Sequence, residues 1–251
     1  MNKTTFATIT NLLVLMLVVT GCANQNRSAQ PEVRKIAVKK IAILPIKEPR
    51  DLTLGKRGGP LAFLPGGRAW SKLEMSGKSS QFARGMRELN LKLGRDITNA
   101  LRDNLEKHGF EVVILTDNLV RADPDDPEDM RYDKIKTDAD AILNVWVTEA
   151  GAFSLFSSLV YQPQLNLEVR LVPRALPEEV LYALSITYGA DSGKADNDSV
   201  PSDAKYAFKD YDAIMANLPQ VAESLNVGAQ AMANQIANQI RREIKQTERT
   251  D

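Results

Sequence analysis

Apolar and polar positions change rhythm several times along this chain, and the changes outline one folded body. Near the start, Leu12 to Val19 form an unbroken apolar run. Ile41-Ala42-Ile43-Leu44 is a short continuous apolar block closed by Pro45, the pattern of a strand covered on both faces, and the first strand is read over Ile36 to Ile46. Leu89, Leu93, Ile97, Leu101 and Leu105 then recur every fourth residue with Ala100 beside them, one stripe of an amphipathic helix over about Glu88 to Lys107. Gly109 is its natural stop. Phe110 to Leu115 is apolar nearly throughout and gives the next strand, so strand, helix and strand form a βαβ unit with parallel neighbours. A short helix is read over Tyr132 to Ala139, and Ala141 to Thr148 is a third strand.

After Gly151 the rhythm becomes period two. Leu165, Leu167, Val169 and Leu171 alternate with polar residues, the mark of a half-exposed strand over Gln164 to Val172. Pro173 to Glu178 turn the chain, Val180 to Tyr188 return, and the last three strands read as an antiparallel meander. A short helix is expected over Lys205 to Ala216. A long final helix starts near Pro219, where the missing N–H of proline costs nothing, and runs to about Lys245. Its stripe is Leu225, Ala229, Met232, Ile236 and Ile240. The expected fold is α/β with α+β character: a mixed five-stranded sheet with a βαβ start, an antiparallel meander and the long C-terminal helix packed on it.

Two stretches do not fit that scheme. Residues 47–87 are rich in glycine, lysine and arginine yet hold Leu61, Phe63, Leu64 and Trp70. They read as a long insertion at 50–87, and loops of that length inside a compact domain are usually functional. Its apolar patch has three readings: a cap on the domain's own core, a contact with another subunit or with membrane, or a ligand lid. Residues 152–160, AFSLFSSLV, read as a connection that adds a second apolar edge through Phe153 and Phe156. Exposed apolar patches of this kind mark contacts.

The front of the chain carries the most specific signal. Lys3 supplies a positive start, and the Leu12–Val19 run is too short to span a bilayer yet suits a signal-peptide core. It ends in Val19-Thr20-Gly21-Cys22. This resembles the bacterial lipobox, in which cleavage falls between the residues matching Gly21 and Cys22 and the cysteine is lipidated. The resemblance implies a diacylglyceryl group and an N-acyl chain on Cys22, and stable attachment takes more than one chain. An ordinary secretory signal with a chance cysteine is the alternative. Ala23 follows where an aspartate often means inner-membrane retention, so outer-membrane sorting is expected, with the domain facing the periplasm. The expected organisation is residues 1–21 signal peptide, 22–34 lipidated cysteine and tether, 35–246 a single domain and 247–251 a tail.

Composition narrows the function classes. With 32 basic and 32 acidic residues the formal net charge is zero, which argues against nucleic-acid binding. Cys22 is the sole cysteine, so its acylation leaves no thiol for a disulfide, a nucleophile or a metal. His108 is the sole histidine and reads as structural, and no cofactor or metal is expected. No G-x-S-x-G elbow is present, and Gly77-Lys78-Ser79 lacks the first glycine of a phosphate loop. The acidic stretch 121–130 lacks the spacing of a calcium loop. Asp138, Asp140 and Glu149 flank a strand and read as capping or surface residues.

Taken in order, the lipobox, KKIAILPI, the helix closed by Gly109, FEVVIL and DADAILNVWVTEA resemble a group of envelope lipoproteins. Their domain is similar to the amino-terminal domain of TolB and to the soluble part of the curli-secretion lipoprotein CsgG. The resemblance implies a membrane-anchored, non-enzymatic scaffold or accessory subunit in envelope assembly, transport or secretion, with an envelope protein or a second copy as partner. The contact residues would be Leu61, Phe63, Leu64, Trp70, Phe153 and Phe156. Two rival readings stand beside it: an oligomeric secretion channel of the curli type and a carboxylate-dependent envelope hydrolase. Against the channel, AFSLFSSLV is too short for two membrane strands of ~9–11 residues, and the first insertion lacks alternation.

Overall fold

The computed structural model describes residues 37–57, 67–116, 130–155, 160–189 and 198–249, apart from the side chains of 57, 67–75, 155 and 247–249. All of them belong to the compact unit Ile36–Asp251. The elements are β1 (Lys40–Ile43), β2 (Thr53–Arg57), α1 (Gly67–Glu88), α2 (Leu93–Lys107), β3 (Glu111–Ile114), β4 (Ala141–Leu155), β5 (Tyr161–Pro173), β6 (Tyr182–Tyr188), β7 (Ser199–Val200), α3 (Tyr211–Met215) and α4 (Leu218–Arg249). Single 3-10 turns occupy Tyr132–Lys134 and Ala204–Tyr206.

The class is mixed α/β, and the sheet holds seven strands in the order β3-β1-β4-β5-β6-β7, with β2 also paired to β4. β1 lies parallel between β3 and β4, as a βαβ start requires. β4, β5 and β6 form the antiparallel meander. The two strands beyond the expected five are β2 and the two-residue β7, which pairs parallel with β6. Both are short and come from stretches rich in glycine or polar residues, where periodicity gives no signal.

The apolar run of β1 serves two cores at once. Ile41 and Ile43 point to one face, where α2 and α4 supply Ile97, Leu101, Leu105, Leu225, Met232 and Ile236. Ala42 and Leu44 point to the other face and pack with Ile142, Met130 and Ile135. Successive strand residues face opposite ways, so an unbroken apolar block is what a strand buried on both sides needs. In β5 the alternating Leu165, Leu167, Val169 and Leu171 all enter the helix-side core.

α2 begins at Leu93, later than the leucine spacing suggests. Glu88 ends α1, Asn90 turns with φ 51°, a conformation asparagine tolerates, and Leu89 is left exposed outside the stripe. The far end closes at Gly109, φ 89°. There the Gly109 N–H donates to Glu106 O at 2.9 Å and the Phe110 N–H to Leu105 O at 3.2 Å, the paired bonds of a Schellman stop.

α4 spans 32 residues along the same face. Its expected stripe, with Ala233 beside it, is fully buried. Tyrosine hydroxyls tie it to the rest of the fold: Tyr182 donates to Gln239 at 2.7 Å, Tyr206 donates to Glu223 at 2.9 Å, and Tyr188 pairs with Ser224 at 2.9 Å. Gly228 lets the Tyr188 ring lie against the helix, since a Cβ there would run into it.

Candidate functional site

The predicted contact residues divide three ways. Gly21, Cys22, Leu61, Phe63, Leu64 and Phe156 lie outside the described residues, as does the acidic stretch 121–129. Trp70 falls within α1, with its side chain outside the described set. Phe153 is placed, and it corrects the expectation: it is 4% exposed. It belongs to β4, which runs on through Leu155 where a connection was expected. Its ring lies over Gly55 of β2, where an added Cβ would sit 3.0 Å from the ring carbons. Glycine at position 55 leaves room for the ring against β2.

The same pairing joins the two stretches singled out in the sequence. Thr53 to Arg57, in the first insertion, pair parallel with Gly151 to Leu155, at the start of the second. β1 and β2 therefore run end to end along one edge of β4, while β5 occupies the other. Gly151 permits this approach, because a Cβ there would run into the Thr53 backbone. A register shift between Val147 and Glu149 falls where β4 passes from one partner to the other. β2, the end of β4 and the start of β5 form a platform whose Leu54, Ala152 and Tyr161 share one core with Phe82 and Met86 of α1. Its polar side carries a chain of bonds: Gln164 Nε2 donates to Asn166 Oδ1 at 3.0 Å, and Asn166 Nδ2 donates to Glu149 Oε2 at 3.2 Å. Near the platform's end, Tyr161 and Phe208 exchange backbone bonds of 2.7 and 2.8 Å.

Residues 44–52, which leave the sheet between β1 and β2, cap α2. Glu48 accepts from the Gly94 and Arg95 N–H groups at 2.9 and 3.1 Å, satisfying two of the free donors at the helix start. Thr98 Oγ1 accepts from the Ile46 N–H at 3.2 Å and donates to Gly94 O at 2.8 Å. Beside this cap, between Pro49–Leu52, the end of α1 and the start of α2, lies an open groove of about 260 Å³. Leu52, Met86 and Leu93 floor it, and Arg50, Arg87 and Lys92 stand around it, with Asp51 paired to Arg87. Periodicity could not reveal this groove. The signal that could have done so is the local surplus of lysine and arginine. A second groove of about 270 Å³ lies near Tyr132, Arg170 and Val180.

Titratable side chains serve as structural ties. Asp140 accepts from the Lys39 and Lys40 N–H groups, both at 2.9 Å, and so fixes the start of β1. Asp138 pairs with Lys40 at 2.9 Å and lies below the usual carboxylate range, first through that hydrogen bond. Lys40 also meets Glu111 at 2.7 Å, and the two carboxylates raise its ammonium. His108 Nδ1 lies 3.1 Å from an Arg241 N–H. Burial, and then the Arg241 charge, hold the imidazole below its ordinary value. Asp138 and Asp140 stand before β4, and Glu149 is engaged at the bulge on the platform, so the three do not converge. Lys78, of the phosphate-loop-like Gly77-Lys78-Ser79, sits inside α1 with its ammonium 5.3 Å from the Tyr211 ring. Helical backbone cannot form a phosphate cradle mid-helix, since its N–H groups are already bonded. Among the described residues no His/Cys/Asp/Glu group could hold a metal, and no helix is long and apolar enough to cross a membrane.

Compared with known proteins, the chain matches no family model and no curated sequence. Solved structures similar to it include a DUF330 protein from Xanthomonas campestris, at TM-score 0.43 and 9% identity over 88% of this chain and 93% of that one. A hypothetical protein from Chlamydia trachomatis gives TM-score 0.36 and 11% identity over 82% and 98%. A lipoprotein from Neisseria meningitidis gives TM-score 0.29 and 16% identity over 79% and 98%.

Proposed function

We propose that this chain is a bacterial envelope lipoprotein, held at the outer membrane by acyl chains on Cys22. Its α/β domain works from there as a non-enzymatic scaffold or accessory subunit. One observation carries the reading: the order of Lys3, the Leu12–Val19 run and Gly21-Cys22 at the front of the chain. An apolar stretch of that length cannot span a bilayer, whereas two or more acyl chains give stable attachment. The structural employment of Asp138, Asp140 and His108 supports a binding role over acid–base chemistry. The working surface is the 50–87 insertion with 151–160 as a second edge, and its contact residues are Leu61, Phe63, Leu64, Trp70 and Phe156, taken from the sequence pattern. Phe153, being buried, belongs to the platform's framework.

Fractionation of bacterial cells tests the anchor. The wild-type chain should stay with the membrane through a high-salt wash and leave it in detergent, while Cys22→Ser should appear in the soluble fraction. Membrane attachment of Cys22→Ser equal to wild type would overturn the reading. Because α1 contributes Phe82 and Met86 to the core, partner capture is best tested by Leu61→Ser/Phe63→Ser and not by excising the insertion. Crosslinked partners should be lost in that variant with the thermal midpoint unchanged.

A further inference from the structure

β3 is apolar on both of its faces yet stands at the margin of the sheet. Val112 packs with the helix-side core, and Val113 and Leu115 pack with the smaller core on the other side. β1 carries the same kind of run and is buried between two neighbours. In β3, Val112, Val113 and Ile114 stay half-buried, and among the described residues no strand pairs with their outer side. The other margins differ. β2 exposes Thr53 and Lys56, and a lysine on an edge discourages pairing. β6, beyond the short β7, turns Ala183 and Ser185 to solvent, so one of its faces already suits water.

The register shows which backbone groups β3 leaves over. Glu111 N–H donates to Lys39 O at 2.9 Å and Leu115 N–H to Ile43 O at 3.0 Å, so the odd-numbered residues bond inward to β1. Val112 and Ile114 therefore turn their N–H and C=O groups outward, where the described residues offer them no partner. A row of such groups is matched by an extended backbone. We infer that β3 pairs antiparallel with β3 of a second copy of this chain, about a two-fold axis through Val113. In that register Val112 and the partner's Ile114 exchange two backbone bonds, and the two-fold repeats the exchange, so the outward groups of both strands are met at once. Val113 meets the partner's Val113 as a non-hydrogen-bonded pair, with Cα atoms ~4.5 Å apart. Glu111, the one carboxylate of the strand, is already bonded to Lys40 of its own subunit at 2.7 Å, so it brings no unpaired charge to the seam. A second copy suits this edge because FEVVIL is itself what the edge needs, apolar on both faces and free of proline and lysine. The contact is isologous and closes on itself. It is small beside the ~1,200–2,000 Å² of stable interfaces, so it works between copies concentrated in one plane, and it rests on the Cys22 anchor for that alone.

The test is made in membranes of cells producing the full chain, where an acylated Cys22 leaves an introduced cysteine as the sole thiol. Under mild oxidation Val113→Cys should give about tenfold more covalent dimer than Ser185→Cys, because the paired Cα distance suits a disulfide. Ser185 is exposed on β6 and reports random collision. Adding Ile114→Pro to Val113→Cys removes an outward N–H and should return the dimer to the Ser185→Cys level. Ile114→Cys, which faces the partner's Val112, should also stay at that level, so the register is tested even where the proline variant fails to fold. Equal dimer from Val113→Cys and Ser185→Cys would overturn the inference. So would Ile114→Cys matching Val113→Cys, or a Val113→Cys product formed with a different protein. Covalent dimer from the unsubstituted chain would reveal a free Cys22 and count against the anchor and not the edge; the same series on concentrated Cys22→Ser protein then decides the pairing.

Discussion

The two ends of β4 are built on different principles. At its start, Ala141, Leu143 and Val145 sit in a helix-covered core, and burial of large apolar side chains from α2 and α4 holds the strand in place. At its end, β4 is held by backbone pairing with β2, which Gly55 and Gly151 make possible by removing side chains where two backbones or a ring must come close. The first end resists change in proportion to the volume buried. The second shares the core through Leu54 and Ala152 and depends in addition on Gly55 and Gly151, two positions where no side chain fits.

Substitutions that break this contrast rank from strong to weak. Leu101 is fully buried under the sheet, and Leu101→Ala should lower the unfolding free energy by about 2–5 kcal/mol in denaturant titration, acting on the whole domain. Gly151→Ala should cost about 1–3 kcal/mol through the forced clash with Thr53. Its signature is regional: hydrogen exchange at 53–57 should accelerate while 97–105 stays protected. Uniform acceleration across both segments would mean the platform is not a separate unit. Asp140→Ala removes two charge-assisted bonds to backbone amides and should cost about 2 kcal/mol, with Lys39 and Lys40 amides exchanging faster.

The smallest effect is that of His108. Its neutral form is favoured in the fold by burial and by Arg241, with Lys245 and Lys107 adding positive charge nearby. The unfolded chain therefore binds more protons just below the ordinary value of 6.5. Its contribution to stability should be complete above that pH and decline as pH falls through it toward the lowered folded value. His108→Gln should remove this slope from a series of thermal midpoints measured between neutral and mildly acidic pH.

The sequence was most readable where burial is large and periodic. The continuous block Ile41–Leu44, the four-residue spacing from Leu93 to Leu105, the alternation in β5 and the α4 stripe each reach the structure in the expected role. It was least readable in the platform. TLGKR has one apolar residue and a glycine, so β2 carries no period of its own and exists because β4 offers an edge. AFSL looks like an apolar edge, yet the Phe153 ring lies against Gly55, far earlier in the chain, a contact that local pattern cannot encode. Leu89 kept the helical spacing by coincidence, in the break itself, next to Asn90. The groove went unseen for a related reason: its rim and floor come from three separated segments, and charge surplus alone hinted at it.

The central claim is that acyl chains on Cys22 hold this domain at a bilayer, and intact-mass measurement of the protein extracted from bacterial membranes tests it most directly. The account predicts a chain beginning at Cys22 with the added mass of a diacylglyceryl group and one further acyl chain. A chain that keeps residues 1–21, or one that begins elsewhere and carries no acyl mass, would contradict it.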